Sequence, residues 1–128
     1  MEKLYNIDCN VEDMNPLTLA FIGDAVFDLF VRELLVTTSS AKVRDLNNRK
    51  VNIVCCRAQA QLANKIIPEL SEQEKAIYKR GRNAHISSCP KNSNISDYHS
   101  ATGLEALIGY LYLEGNFNRI REILQYIA

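Results

Sequence analysis

Two short segments each place a single carboxylate in the middle of a strongly apolar stretch. One is Phe21-Ile22-Gly23-Asp24-Ala25-Val26-Phe27; the other is Gly103-Leu104-Glu105-Ala106-Leu107-Ile108-Gly109-Tyr110. An ionised carboxylate buried alone costs several kcal/mol, so each acid is expected to be paired, protonated or metal-bound. Gly23 and Ala25 leave space beside Asp24, and Gly103 and Ala106 leave space beside Glu105, enough for another helix, a hydrated cation or a substrate backbone. If the two helices cross at these points the acids meet, and two like charges at close range need a cation between them. Oxygen ligands that leave several waters in place suit magnesium, with manganese as the expected substitute. Such an ion lowers the pKa of a bound water and stabilises an in-line displacement at phosphorus. The plainer reading is that Asp24 pairs with a lysine or arginine and Glu105 caps a local group. Residue types and spacing alone leave both readings standing.

Other candidate groups are weaker. Asp28 lies one turn beyond Asp24 and either shares its site or pairs with Arg32 at i+4. His85 and His99 are the only histidines, and His99 precedes Glu105 by six residues; a surface role fits both, since metal-assisted hydrolysis needs no imidazole. Tyr110 and Tyr112 stand at helical positions in an apolar helix, as core or interface residues would. Cys9, Cys55, Cys56 and Cys89 have no Cys-x-x-Cys spacing and are expected to be reduced thiols.

The elements that must hold these groups are helical. A chain of 128 residues, 47% apolar, has room for one core and one domain spanning 1–128. Asn15-Pro16 reads as a cap and first helical position, opening a helix to about Val36 that is apolar on nearly every side, as if buried by several neighbours or by a second subunit. Ser40 is placed to cap a helix from Ala41 to Asn48. Another runs from Val51 to Ile67 before Pro68, with Ala58, Leu62, Ala63 and Ile66 inward and Arg57, Gln59, Gln61 and Lys65 mostly on other faces. Ser71-Glu72-Gln73-Glu74 has the capping-box pattern and starts a helix fading near Ala84. A long polar loop, 84–97, precedes a helix from Tyr98 to Glu114 closed by Gly115, and Asn116 caps a last amphipathic helix. No strand is convincing, so the class is all-α. The apolar stretch Leu17–Val36 carries Asp24, Asp28, Arg32 and Glu33, which argues for a buried helix against a membrane span. With no signal-peptide pattern, a cytoplasmic location is expected.

The net charge is zero, yet it is unevenly spread. Between Lys42 and Asn92 stand eleven Lys/Arg and four Asp/Glu, while acids outnumber bases on either side. A local basic face attracts phosphates even on a neutral chain, because the relevant field decays within about 8–10 Å; a merely solvated charged surface remains the alternative.

These motifs carry a resemblance. Phe21-Ile22-Gly23-Asp24-Ala25-Val26 resembles the ribonuclease III signature, and the segment from Glu105 to Glu114 resembles that family's second acidic motif. The basic run Lys79-Arg80-Gly81-Arg82-Asn83-Ala84 with Pro90-Lys91-Asn92 is similar to the Mini-III branch, which lacks a separate double-stranded-RNA-binding domain. The likeness runs in order from Asn15 to about Phe117. It implies a helical ribonuclease III-like endonuclease domain, a homodimer with a valley for an RNA duplex, and cleavage leaving 5′-phosphate and 3′-hydroxyl ends. By the same resemblance Asp24 and Glu105 are the catalytic, magnesium-binding acids. Two further acids of typical members are replaced here by Ala20 and Thr102, which leaves the number of metal ions open and implies weaker affinity with more bound water. Lys79, Arg80, Arg82, Asn83, Lys91 and Asn92 are the expected contacts to the duplex, which is read through phosphates, 2′-hydroxyls and shape. Arg44, Arg49, Lys50 and Arg57 are candidates to extend that face. The resemblance further implies maturation of large-subunit (23S) ribosomal RNA, with an rRNA precursor, ribosomal proteins or a pre-ribosomal particle as partners.

Two rivals are weighed against this. A non-catalytic ribonuclease III-like module that docks on RNA or the ribosome has no need for two isolated buried acids. An all-α nucleotide pyrophosphohydrolase needs a Glu-x-x-Glu pair on one helical face, and Glu69 and Glu72, the candidate pair, straddle a helix start.

Overall fold

The computed structural model describes residues 3–5, 8–85 and 94–127. Lys91, Asn92 and Cys89, named above, lie outside the described residues. The described chain folds into six α-helices with no strand: α1 (Pro16–Thr38), α2 (Val43–Val54), α3 (Cys56–Ile66), α4 (Glu72–Arg82), α5 (Ile95–Leu113) and α6 (Phe117–Leu124). Short 3-10 turns at Val11–Asp13 and Ile67–Glu69 lead into α1 and α4.

Helix α5 is the hub, packed against α1, α3, α4 and α6. Leu104, Ala106, Leu107 and Ile108 lose all contact with solvent, and Ala101 and Leu111 are nearly as buried. Four other helices bring one stripe each: Leu19, Phe27 and Val31 from α1, Ile66 from α3, Ile77 and Tyr78 from α4, Ile120 and Ile123 from α6, while α2 buries no residue. Helix α1 is apolar all round, yet within one chain only one side is covered. Phe21 is 84% exposed, and Leu29 and Val36 are also open to solvent.

The caps follow the local sequence. The Asn15 side chain accepts from the Leu17 amide with Pro16 in the first turn, Ser71 and Glu74 form a reciprocal capping box, and Asn116 accepts from the Arg119 amide. Gly115 closes α5 at φ 78°, the left-handed conformation that a residue without Cβ adopts at little cost. Three boundaries depart from expectation. The second helix starts at Val43 behind Lys42, with no side-chain cap from Ser40, because Ser39 is extended and its hydroxyl accepts from the Ala41 amide and the Arg49 guanidinium. The expected gap between residues 48 and 51 is helical, and the break comes instead at Cys55, which is extended (ψ 156°) and ends α2 while opening α3. Helix α5 starts at Ile95, one turn early, because Asn94 accepts from the Ser96 and Asp97 amides.

One ion pair ties α6 to α4. The Arg119 guanidinium donates to both Glu74 carboxylate oxygens at 2.9 and 3.0 Å, to the Glu69 carbonyl at 2.8 Å and to Glu122 at 2.7 Å. Burial raises the Glu74 pKa, but the bonds from Arg119 and Ser71 outweigh it and hold the carboxyl below its ordinary value. Arg119→Leu leaves Glu74 nearly buried with no counter-charge and is expected to destabilise the fold by about 3 kcal/mol, read as a lower thermal midpoint. Because the native Glu74 pKa is depressed, its contribution is present above the unfolded value and is lost as pH falls through the folded one.

Candidate active site

Helices α1 and α5 touch backbone to backbone. A Cβ added at Gly23 would overlap the Glu105 carbonyl and come within 2.9 Å of the Gly109 nitrogen; one added at Gly109 would overlap the Leu19 carbonyl. This approach sets Asp24, the next residue along α1, beside Glu105 on α5. The two carboxyl groups are in contact, and the Gln59 side chain on α3 adjoins the Glu105 carboxyl. The cluster has a wet end and a dry end: Asp24 is exposed, Glu105 is half-buried and Gln59 is only 3% exposed.

Glu105 is pushed up to about 8, first by burial, then by the hydrogen bond and the charge of Asp24, with Gln59 pulling the other way. At neutral pH the metal-free Glu105 carboxyl therefore keeps its proton. A folded pKa above the unfolded value of about 4.5 means that the native state keeps a proton the unfolded chain releases. The associated stability is full below the unfolded pKa and is lost as pH rises through about 8. In EDTA the thermal midpoint should thus fall between about pH 4.5 and about pH 8, and Glu105→Gln should flatten that part of the profile; an unaltered profile in the variant would exclude Glu105 as its source.

The donor set suits a divalent cation. Two carboxylates in contact, one opening to solvent, supply hard oxygen ligands and leave room for several waters. Among the described residues no group of three or more His, Cys, Asp or Glu converges on a metal position. The side chains in place of the further acids are absorbed by packing: Ala20 is buried, and the buried Thr102 donates its hydroxyl to the Tyr98 carbonyl at 2.9 Å.

The remaining candidates sort by their partners. Asp28 is bound to Arg32 at 2.6 Å and to Lys50 at 3.4 Å, which holds its pKa below the ordinary value despite partial burial. Tyr110 is buried with its hydroxyl accepting from Gln73, and Tyr112 packs edge-on against Phe117. Cys9 and Cys55 are exposed thiols, and His85 is exposed. His99 lines a shallow notch with Arg82, Asn83, Ser96 and Ser100, and its Nδ1 is buried without a partner. At the end of α4, Lys79 and Asn83 are exposed and the Arg82 guanidinium lies 5.9 Å from the Tyr78 ring centroid. Arg80 is differently engaged: it donates to the Glu12 and Met14 carbonyls at 2.9 and 3.0 Å, tying the N-terminal lead-in to α4.

One member of the cluster escaped the sequence reading. Gln59, grouped there with residues mostly on other faces of the helix, is buried. It stands at i relative to Leu62, Ala63 and Ile66 at i+3, i+4 and i+7, so a polar residue on the apolar stripe was the available signal.

The sequence matches the ribonuclease III domain family over residues 17–116. It is 43% identical over 113 residues to a Mini-ribonuclease 3 of Symbiobacterium thermophilum, covering 88% of this chain and 87% of that one. To a Mini-ribonuclease 3 of Brevibacillus brevis it is 46% identical over 111 residues, covering 87% and 83%. The fold is similar to a crystal structure of a Fusobacterium nucleatum protein with TM-score 0.85 and 32% identity, covering 94% of this chain and 96% of that one. No helix among the described residues is long and apolar enough to cross a membrane. A helical fold with two touching acids, joined to similarity of this extent, means that the chain belongs to the ribonuclease III family, and its activity is that of an endoribonuclease, a hydrolase acting on RNA.

Proposed function

We propose that the protein is a magnesium-dependent endoribonuclease that cuts double-stranded RNA as a homodimer, with Asp24 and Glu105 as its catalytic, metal-binding acids. The observation that carries this reading is the contact between the two carboxyls across the α1–α5 crossing. A half-buried acid pair pays a repulsion that a divalent cation removes, and nothing in the core requires either charge. When bound, magnesium or manganese supplies a water of lowered pKa and neutralises charge at the scissile phosphate. The protein's own part is to hold Asp24 at the solvent side, keep Glu105 on the dry side, and present both to a phosphate arriving over α1. The products expected from that chemistry carry 5′-phosphate and 3′-hydroxyl ends.

Dimerisation is supported by the uncovered side of α1. Phe21, exposed beside Asp24, adjoins a hollow lined by Met14, Thr18, Ile22, Ala25 and Leu113. A two-fold contact there would bury an apolar residue and bring two acid pairs onto one surface. Lys79, Arg82 and Asn83, with Lys91 and Asn92, are proposed to contact the duplex, and Arg80 to do so only with donors left over from its two carbonyl bonds. Lys79→Ala combined with Arg82→Ala should weaken RNA binding and reduce the slope of log K against log salt by up to about 2; an unchanged slope would remove this surface from the interface. A precursor of 23S ribosomal RNA in the cytoplasm, within a pre-ribosomal particle, is the proposed substrate.

The test is cleavage of an end-labelled RNA duplex with magnesium, with manganese and with EDTA, alongside sedimentation to read the mass. Cutting that stops in EDTA and a dimer mass support the reading. Duplex binding without cleavage at any magnesium concentration would favour the non-catalytic module.

A further inference from the structure

We propose that Gln59 is a positioning residue of the active centre: its side-chain amide, fixed in the core between α3 and α5, holds the Glu105 carboxylate toward Asp24 so that the pair is set to take a divalent cation. This rests on the reading above that Asp24 and Glu105 bind the metal. Three polar residues are buried among the described ones, and each has a distinct task. Thr102 satisfies itself on its own helix, and Glu74 is held by Arg119. Gln59, 3% exposed on α3, adjoins the Glu105 carboxyl.

For packing alone, an amide is a poor choice there. Its neighbours along α3 are Ala60, Leu62, Ala63 and Ile66, and an apolar side chain of similar volume would fill the position without burying an amide. What an apolar side chain lacks is a donor. Glu105 has three rotatable side-chain bonds and would otherwise sample several rotamers between the core and the solvent edge. A hydrogen bond from behind limits that choice and leaves the remaining lone pairs facing Asp24. The donor also has to be neutral: a lysine would cancel the charge that attracts the cation. With Ala20 and Thr102 in place of further acids, the site rests on two carboxylates, so the orientation of each has more influence than in a site with four. Partners behind a metal ligand commonly change metal affinity or activity by about 10–100-fold when removed.

The test compares parent, Gln59→Met and Glu105→Gln without RNA, measuring manganese binding by the electron paramagnetic resonance signal of the free ion. Gln59→Met keeps volume and removes the donor. The expected result is about 10–100-fold weaker manganese binding, a matching rise in the magnesium midpoint for cleavage, and a thermal midpoint in EDTA that is unchanged or higher. A merely structural role would lower the midpoint in EDTA and leave the affinity of the folded protein alone. If Glu105→Gln loses the ion while folded Gln59→Met binds as the parent does, the positioning role is overturned and the metal site stands. If Glu105→Gln also binds as the parent does, the metal assignment fails and this inference with it. Should Gln59→Met not fold, the Gln59 side-chain amide resonances of the parent decide: a shift on adding magnesium supports the role, and resonances that stay in place overturn it.

Discussion

Asp24→Asn and Glu105→Gln are each expected to lower the single-turnover rate of duplex cleavage at least about 10³-fold, a loss of about 4 kcal/mol in transition-state stabilisation, while RNA binding changes little. If the pair holds a divalent ion as proposed, removing one of its two carboxylates takes half of the fixed negative charge, and the other half could not orient the ion alone. Each variant stays foldable for a separate reason. Asn at 24 sits at the exposed end of the pair, and Gln at 105 is isosteric and removes a charge that burial opposes. Glu105→Gln should accordingly melt at least as high as the parent in EDTA at about pH 8, where Glu105 of the parent is losing its proton. The two acids should also be separable by magnesium. Raising its concentration is expected to restore part of the Asp24→Asn rate, because solvent can supply a ligand at the exposed position. It should restore less of the Glu105→Gln rate, because the half-buried side is closed to water. Either variant cutting within about tenfold of the parent would remove that residue from the catalytic machinery.

Much of the fold was legible because the helix signals were local. Asn15-Pro16, Ser71 with Glu74, and Gly115-Asn116 each announce a terminus through a side chain or backbone conformation available to few residues, and each stands where its chemistry requires. The α2–α3 boundary was not legible. The Cys55 kink has no glycine, proline or side-chain cap to mark it, and it follows from α3 turning to pack on α5, a tertiary constraint. Asp24 and Glu105 stood out because a lone acid among apolar residues breaks the pattern of its own helix. Gln59 breaks its stripe in the same way but carries no charge, so beside Gln61 and Arg57 its signal was weaker and was read as part of a solvated face. Arg80 shows the opposite limit: its place in a basic run suggested a phosphate contact, whereas the carbonyls it reaches belong to residues 66 and 68 positions away, beyond any local pattern.

Gly23→Ala should destabilise the protein by about 3 kcal/mol, at the top of the overpacking range, and lower the thermal midpoint by on the order of 10 °C. Helix propensity predicts the reverse, since alanine in a helix interior gains about 1 kcal/mol over glycine. The steric effect outweighs it because the added Cβ meets backbone, the Glu105 carbonyl and the Gly109 nitrogen, and neither can swing aside as a side chain would. Relief requires α1 to move off α5, which drags Asp24 away from Glu105. Activity should then fall by about 10²-fold for a displacement near 1 Å, even at temperatures where the variant is fully folded. Gly115→Ala is the contrasting control. Its Cβ would enter open space, and the cost comes from φ 78° alone, about 1–2 kcal/mol with no loss of activity. A Gly23→Ala variant that melts with the parent would mean that the two helices do not cross in contact. Without that contact nothing else in the fold brings the two acids together.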